Sequence, residues 1–232
     1  MTEMTIRAAD GGSFSAYLAL PRGARGPGVV VAQEIFGVNH VMREVCDALA
    51  QRGYVAVCPD IFWRIEPGIQ LTDKTDAEWK RAFELFQAFD VDRGIEDLKA
   101  ALAQLRLNAA CSGKVGSVGY CLGGKLAYLM ATRSDVDCSV GYYGVGIQDL
   151  LGEAKNIKKP LALHIAEKDE YTPPAAQEKI KQALKGNALV SLYSYPGVDH
   201  AFARVGGVHY DETSAKLANG RTSEFFERHL RS

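Results

Sequence analysis

The most constraining feature of the sequence is the stretch 114–124, which reads Lys-Val-Gly-Ser-Val-Gly-Tyr-Cys-Leu-Gly-Gly. The apolar run 115–118 predicts a buried strand, and apolar residues at helical spacing after Leu122 predict a helix that follows directly. Between them lies the pattern Gly-x-nucleophile-x-Gly, with Cys121 at its centre. Such a turn forces its central residue into strained backbone angles and leaves no room for side chains at the flanking glycines.

Cys121 has two interpretations. Most free cysteines are small buried apolar residues, and an isolated Gly-x-Cys-x-Gly would favour that role. A strand before the turn and a helix after it place the sulfur at a helix N-terminus, where the thiolate is stabilised. The pattern therefore predicts that Cys121 is a catalytic nucleophile.

Composition bounds the other possibilities. The 232 residues are 47% hydrophobic, enough for one globular domain over residues 1–232. The net charge of −1 gives no basic field for nucleic acid or a membrane surface. No 18-residue apolar run and no signal peptide are visible in the sequence, so a cytoplasmic protein is expected.

The five cysteines are odd in number and lack Cys-x-x-Cys spacing. A disulfide framework or a zinc site is therefore not expected, and reduced thiols in a cytoplasm fit better. We expect no metal and no other cofactor.

Strand and helix patterns alternate along most of the chain, which predicts an α/β fold with a mostly parallel, doubly wound sheet flanked by helices. Residues 5–20 suggest an antiparallel hairpin, and residues 61–75 are irregular. Besides the strand and helix around Cys121, strands are predicted at 28–32, 54–58, 138–142, 161–166 and 189–195. Helices are predicted at 41–52, 76–107 with a break near 90–93, 175–184 and 214–230.

In such a sheet the catalytic groups collect at the carboxyl ends of the strands, in the order nucleophile, acid, histidine. His200 opens a loop after the strand 189–195 and is the predicted base. His164 lies inside a strand, where a core role is favoured, and His229 lies in the last turn of a helix. His209, in a glycine-rich loop, stays open as an alternative base.

The predicted acid is Asp169, three residues after the strand 161–166 and just before a Pro-Pro helix entry. Its neighbours Glu167 and Glu170 fit a solvated turn. An acid at position 169 would fix the tautomer of the imidazole and stabilise the imidazolium.

Five motifs together resemble the dienelactone hydrolase (carboxymethylenebutenolidase) family of α/β-hydrolases, over residues 10–230. They are Gln-Glu-Ile-Phe-Gly-Val-Asn at 33–39, Cys-Pro-Asp at 58–60, Gly-Tyr-Cys-Leu-Gly-Gly at 119–124, Gly-Tyr-Tyr-Gly at 141–144 and His-Ala-Phe-Ala-Arg at 200–204. The resemblance implies a monomeric, cytoplasmic, cofactor-free enzyme that acts on a small lactone or ester. In the family, the lactone ring of dienelactones is opened to maleylacetate during breakdown of chlorinated aromatics.

The resemblance assigns roles to individual positions. Cys121, His200 and Asp169 match the catalytic triad, and Glu34 matches a carboxylate that takes the proton of the thiol once substrate binds. A poorly solvated carboxylate at a strand end is a competent base toward a thiol. The oxyanion would be held by the backbone N–H groups of Leu122 and Ile35.

The residues expected to recognise the substrate depart from the family pattern. Arg204 matches one of the two arginines that bind the substrate carboxylate, whereas Trp79 occupies the position of the other. Arg81 is nearby but lies about 200° round a helix from position 79. Phe83 replaces a tyrosine of the family, and Ala201 replaces a serine.

The remaining substrate-binding candidate is Phe36. The aromatic stripe that includes Trp79 and Phe83 also fits simple helix packing.

Two alternatives to a dienelactone hydrolase follow: a broader carboxylesterase or thioesterase on the same fold, and a catalytically idle thiol protein.

Overall fold

The computed structural model of the chain describes residues 2–23 and 25–231, and the chain divides into two compact units, Met1–Ser117 and Val118–Ser232. Strands and helices alternate through both units, as predicted. The prediction of a single domain stays a prediction.

The first unit contains four complete strands in the order β1-β2-β4-β3. They are β1 (Thr2–Arg7), β2 (Ser13–Ala19), β3 (Gly26–Ala32) and β4 (Val55–Pro59). The first two strands form the predicted hairpin, with Ile6 opposite Phe14, and β2 also runs antiparallel to β4. The pair β3 and β4 is parallel, and every residue of both strands is buried. A continuous apolar run is typical of strands that are covered on both faces.

Three helices complete the first unit: α1 (His40–Gln51), α2 (Asp76–Ala88) and α3 (Val91–Leu107). Each begins after a polar residue whose side chain accepts a hydrogen bond from an N–H group of the first turn. These caps are Asn39, Thr75 and Asp90. The cap at Asp90 explains the predicted break in the long helical region. Asp90 lies two residues after the end of α2, and the new helix begins at the next residue. Helices α1 and α3 pack against the strands, and residues 61–75 are irregular, as predicted.

Strand β5 (Cys111–Tyr120) runs from the first unit into the second. It begins four residues before the predicted apolar run, because residues 112–114 are exposed and polar and give no apolar signal. The carboxyl end of β5 leads through Cys121 directly into helix α4 (Leu122–Arg133).

The second unit continues with three parallel strands in the order β6-β7-β8. They are β6 (Cys138–Tyr142), β7 (Leu161–Ala166) and β8 (Val190–Tyr195). Helices α5 (Pro174–Leu184) and α6 (Glu212–Leu230) complete the unit, and α4 and α6 pack on the strands. The predicted mixed α/β fold with a mostly parallel sheet is confirmed. Over residues 2–23 and 25–231, no helix is both long enough and apolar enough to span a membrane.

Candidate active site

Cys121 occupies the turn between β5 and α4 with a positive backbone angle, φ 57° and ψ −115°. Few residues other than glycine adopt such a conformation, which costs on the order of 1–3 kcal/mol. The N–H group of Cys121 donates to the carbonyl oxygen of Tyr142 at the end of β6, at 3.1 Å. The strained turn predicted from the sequence is therefore present, and its backbone is tied to the neighbouring strand.

The glycines around Cys121 allow this close approach. A Cβ atom on Gly119 would overlap the carbonyl oxygen of Gly123, and one on Gly124 would overlap the carbonyl oxygen of Tyr142. Either substitution would push the turn away from β6 or from the first turn of α4. Leu122, the proposed donor of an oxyanion N–H, is the first residue of α4 and is buried.

Asp169 and His200 form a buried pair. Nδ1 of His200 lies 2.8 Å from Oδ2 of Asp169, and the two residues are 4% and 2% exposed. The other carboxylate oxygen, Oδ1, accepts the N–H groups of Tyr171 at 2.9 Å and Thr172 at 3.3 Å. Backbone donors therefore hold one oxygen of the carboxylate and leave the other to orient the imidazole. Glu167 and Glu170 are exposed.

The loops that carry these two residues are joined to each other. The backbone ladder between β7 and β8 continues past the strand ends, from Glu167 N–H to Tyr195 carbonyl at 3.1 Å and from Lys168 N–H to Val198 carbonyl at 2.9 Å. The buried side chain of Gln177 in α5 closes the Asp169 loop, because its amide donates to the carbonyl oxygens of Ala166 and Thr172. No pattern in the sequence indicates this role of Gln177.

When the thiol of Cys121 has lost its proton, the electrostatics of the site favour a protonated His200. Burial lowers the pKa of His200, but the negative charge of Cys121, the hydrogen bonds to Asp169 and Cys121, and the charge of Asp169 outweigh burial. The net effect raises its pKa to about 10. An imidazolium flanked by Cys121 on one nitrogen and Asp169 on the other is the arrangement expected of a thiolate nucleophile with an oriented base.

Two tyrosines beside His200 escaped the sequence analysis. The ring centroids of Tyr143 and Tyr171 lie 5.1 Å and 4.9 Å from the imidazole centroid, both in edge-to-face geometry. Tyr143, just after β6, and Ala201, just after His200, both have positive φ, at 37° and 63°. Non-glycine residues seldom adopt such angles outside constrained sites. The Gly-Tyr-Tyr-Gly motif at 141–144 was the sequence signal for Tyr143.

The other histidines are placed as follows. His164 is buried in β7, with Nδ1 2.7 Å from the Tyr195 hydroxyl and Nε2 3.0 Å from Oγ1 of Thr222, which confirms the predicted core role. Its pKa is lowered to about 3, mainly by burial. Nδ1 of His209 lies 3.2 Å from the carbonyl oxygen of His200, and the ring of His229 packs against Phe225 at 4.6 Å.

Arg204 is buried in the loop after His200. Its backbone N–H donates to the carbonyl oxygen of Ala201 at 2.9 Å. A buried guanidinium a few residues from the base suits recognition of an anionic substrate.

The first unit carries the remaining candidates. Glu34 is 1% exposed at the end of β3, and Ile35, the second proposed oxyanion donor, is buried beside it. The ring of Trp79 packs edge-on against Phe36 at 5.0 Å and stacks on Phe83 at 5.6 Å.

Arg81 belongs to a different surface of the first unit. Its guanidinium pairs with Glu66 and Glu84, and all three side chains are exposed. Trp79, at the position of the family's second arginine, therefore belongs to an aromatic group, while Arg81 belongs to a surface ion-pair network.

Within residues 2–23 and 25–231, no group of three or more His, Cys, Asp or Glu side chains has an arrangement suited to a metal ion. None of the five cysteines forms a disulfide bond, and all five are buried.

Comparison with known proteins identifies the family of the chain. The sequence profile of the dienelactone hydrolase family matches residues 14–230. An Azospirillum brasilense protein provisionally named carboxymethylenebutenolidase is 54% identical over 232 residues, which cover 99% of this chain and all of the relative. The carboxymethylenebutenolidase of Pseudomonas putida is 40% identical over 222 residues, covering 96% of this chain and 94% of the relative.

Solved structures agree as well. The crystal structure of a Klebsiella pneumoniae protein provisionally named dienelactone hydrolase superposes with a TM-score of 0.83 at 27% identity, over 97% of this chain and 99% of the other. With the profile match extending over nearly its whole length, this chain belongs to the dienelactone hydrolase family of hydrolases.

Proposed function

We propose that this protein opens the lactone ring of dienelactone (4-carboxymethylenebut-2-en-4-olide) to maleylacetate, with Cys121, His200 and Asp169 as its catalytic triad. The observation that carries the proposal is the buried Asp169–His200 hydrogen bond of 2.8 Å, within the same unit as the strained nucleophile turn. Membership of the family and the carboxymethylenebutenolidase names of its relatives support the choice of substrate.

The proposed reaction is nucleophilic. The thiolate of Cys121 attacks the lactone carbonyl and forms a carbon–sulfur bond, while the N–H groups of Leu122 and Ile35 stabilise the oxyanion. The ring carbon–oxygen bond then breaks and the enolate leaves, so little general-acid assistance is required. Water activated by His200 attacks the thioester, which releases the carboxylate product and restores the sulfur.

Glu34 supplies a base for the resting thiol in this proposal. Glu34 lies buried at the end of β3, and in this proposal its carboxylate takes the proton of the thiol once the substrate carboxylate arrives. Arg204 binds that substrate carboxylate. We further propose that the enzyme acts as a cytoplasmic monomer without a cofactor.

A second candidate function is a carboxylesterase or thioesterase of broader specificity. It is favoured by Trp79, which packs with Phe36 and Phe83 where the family places its second arginine. An aromatic group in place of a guanidinium would weaken selection for an acidic substrate.

The decisive experiment follows the loss of ultraviolet absorbance when purified protein is added to cis- and trans-dienelactone, because ring opening destroys the conjugated chromophore. We expect fast decay with the wild type, none with Cys121→Ala and a trace with Cys121→Ser. Cys138→Ala serves as the matched control, because Cys138 is a buried cysteine of β6 outside the proposed site. Full activity in Cys121→Ala would overturn the mechanism.

A substrate comparison separates the two candidates. We expect Arg204→Ala to raise KM for acidic lactones far more than for neutral esters. If the substitution removes a buried charge pair, the loss corresponds to about 2–5 kcal/mol of binding free energy. Equal losses for both substrate types would exclude Arg204 from carboxylate recognition. No decay of either dienelactone, with turnover of neutral activated esters, would favour the broader esterase.

A further inference from the structure

A cavity lies in the second unit, beside the half-exposed strand β8 and helix α6. Its volume is about 190 Å³. None of the proposed catalytic residues lines it. Its walls include the side chains of Tyr193, Arg221, Glu224, Phe225 and Arg228.

The positive charge of the two arginines of this cavity is only partly balanced. Among the described residues neither Arg221 nor Arg228 takes part in an ion pair, whereas Lys216 and Arg231 of the same helix pair with Glu212 and Glu227. The cavity therefore presents two guanidinium groups against one carboxylate, that of the exposed Glu224. An excess of positive charge at a concave surface favours an anionic ligand.

Arg221 is held in place before any ligand arrives. Its guanidinium carbon lies 4.5 Å from the ring centroid of Tyr193 and 5.4 Å from that of Tyr195. Stacking of this kind fixes the plane of the guanidinium, whose five N–H donors outnumber its hydrogen bond with the Tyr195 side chain and can also serve a carboxylate. Arg221 is half-buried and Arg228 is exposed, so an ion pair at Arg221 is shielded from water more than one at Arg228.

The rest of the wall is largely apolar. Leu189 and the rings of Tyr193 and Phe225 face the cavity together with Pro160 and Ala188. Pockets for drug-sized ligands start at about 300 Å³, so this cavity suits a smaller molecule. A ligand that satisfies both the wall and the charge has a flat apolar body and one carboxylate.

We propose that this cavity is a binding site for a small aromatic carboxylate. Arg221 pairs with the carboxylate, the aromatic ring of the ligand contacts Tyr193 and Phe225, and Arg228 adds attraction at the entrance. The site is separate from the proposed catalytic residues, and its occupancy does not depend on turnover.

The test is a calorimetric titration of the full-length protein with benzoate. We expect saturable binding that weakens at least about tenfold in Arg221→Gln, because a charge-assisted, bidentate contact is lost. Arg221→Lys keeps the charge without the planar guanidinium, so its affinity for benzoate should lie between those of the wild type and Arg221→Gln. Arg228→Gln should weaken benzoate binding by a smaller factor. The difference in affinity between the wild type and Arg228→Gln should shrink at high salt.

Matched controls give the outcome its meaning. Lys216→Gln removes a cation of α6 that does not line the cavity, and we expect it to leave benzoate affinity unchanged. Benzamide, the neutral analogue, and inorganic phosphate should both bind at least about tenfold more weakly than benzoate. Equal affinity of benzoate for the wild type and Arg221→Gln would overturn the proposal, as would equal affinity for phosphate or no binding of benzoate at all.

Because Arg221 stacks on two tyrosines, the fold of the Arg221→Gln variant has to be verified. The circular dichroism spectrum and the turnover of a test ester by Arg221→Gln should match those of the wild type. Arg228 is exposed on α6, and its replacement leaves the core intact. Loss of the salt-dependent difference between Arg228→Gln and the wild type would therefore contradict the proposal even if Arg221→Gln were unstable.

Discussion

The ring of Tyr171 stands edge-on to the imidazole of His200, with 4.9 Å between centroids and an interplanar angle of 75°. The same residue donates its backbone N–H to Oδ1 of Asp169 at 2.9 Å. One residue thus touches both the proposed base and the proposed acid, through its ring and its backbone respectively. Tyr171 is 37% exposed, so its ring also forms part of the surface beside His200.

Replacing Tyr171 with leucine should lower kcat by about two- to tenfold, because an aromatic contact of this kind contributes roughly 0.5–1.5 kcal/mol. The backbone bond to Asp169 survives the substitution, so the loss reports on the ring that positions the imidazole. Steady-state kinetics on the best ester substrate would measure the effect.

The conservative variant Tyr171→Phe keeps the ring and should retain wild-type kcat. If Tyr171→Phe lost as much activity as Tyr171→Leu, the hydroxyl group and not the ring would be the important feature. A change confined to KM in both variants would indicate substrate contact instead of positioning.

The protonation state of His200 is directly measurable. Nuclear magnetic resonance of histidine-labelled protein should show its imidazole titrating at about 10. In Cys121→Ala this pKa should fall markedly, because the charge of Cys121 and its hydrogen bond both raise it while burial lowers it. An unchanged pKa in Cys121→Ala would show that the thiol is not coupled to the imidazole.

The same shift makes stability depend on pH. The folded pKa of His200 lies above the unfolded value of about 6.5, so the folded state binds more protons between those two values. The stabilisation from His200 is therefore fully present below about pH 6.5 and is lost as the pH rises toward 10. Urea unfolding should show that the stability advantage of the wild type over His200→Asn shrinks across this range. A constant or growing advantage would contradict the assignment.

Substitution of Gln177 tests the loop that carries Asp169. Gln177→Leu leaves the buried carbonyl oxygens of Ala166 and Thr172 without their side-chain donor, which should cost about 1–3 kcal/mol of unfolding free energy. Turnover should fall as well, because the loop that carries Asp169 loses its closure. Chemical denaturation and kinetics would measure the two effects.

The matched control is Gln182→Leu on the same helix. The amide of Gln182 bonds only the exposed side chain of Glu178 among the described residues, so its replacement should change stability by less than about 0.5 kcal/mol. Similar losses in both variants would mean that helix α5, and not the Asp169 loop, responds to the substitution.

Local patterns predicted the elements because local physics determines them here. The strands β6 and β7 have their predicted limits, since each is an uninterrupted buried run bounded by polar or turn-forming residues. The limits of α3 follow from the cap at Asp90. The core role of His164 followed from its position inside a buried strand.

The missed residues owe their roles to contacts that no repeating sequence pattern indicates. Gln177 reaches the loop after β7 from a neighbouring helix, and no local pattern distinguishes it from Gln182. Tyr143 has a positive φ that its own side chain disfavours, so only tertiary contacts can hold it there. Sequence reasoning of this kind identifies groups with reactive chemistry more readily than the neutral groups that hold them in place.

The backbone of Cys121 has a consequence for how this chain can change over generations. Its positive φ is a conformation that glycine adopts freely and cysteine does not, so folding alone gives no reason to keep a side chain at position 121. In the proposed mechanism, only turnover maintains the sulfur there. A descendant released from selection for activity could drift to glycine at this position and keep its architecture, so that position 121 would record the loss of catalysis before the fold did.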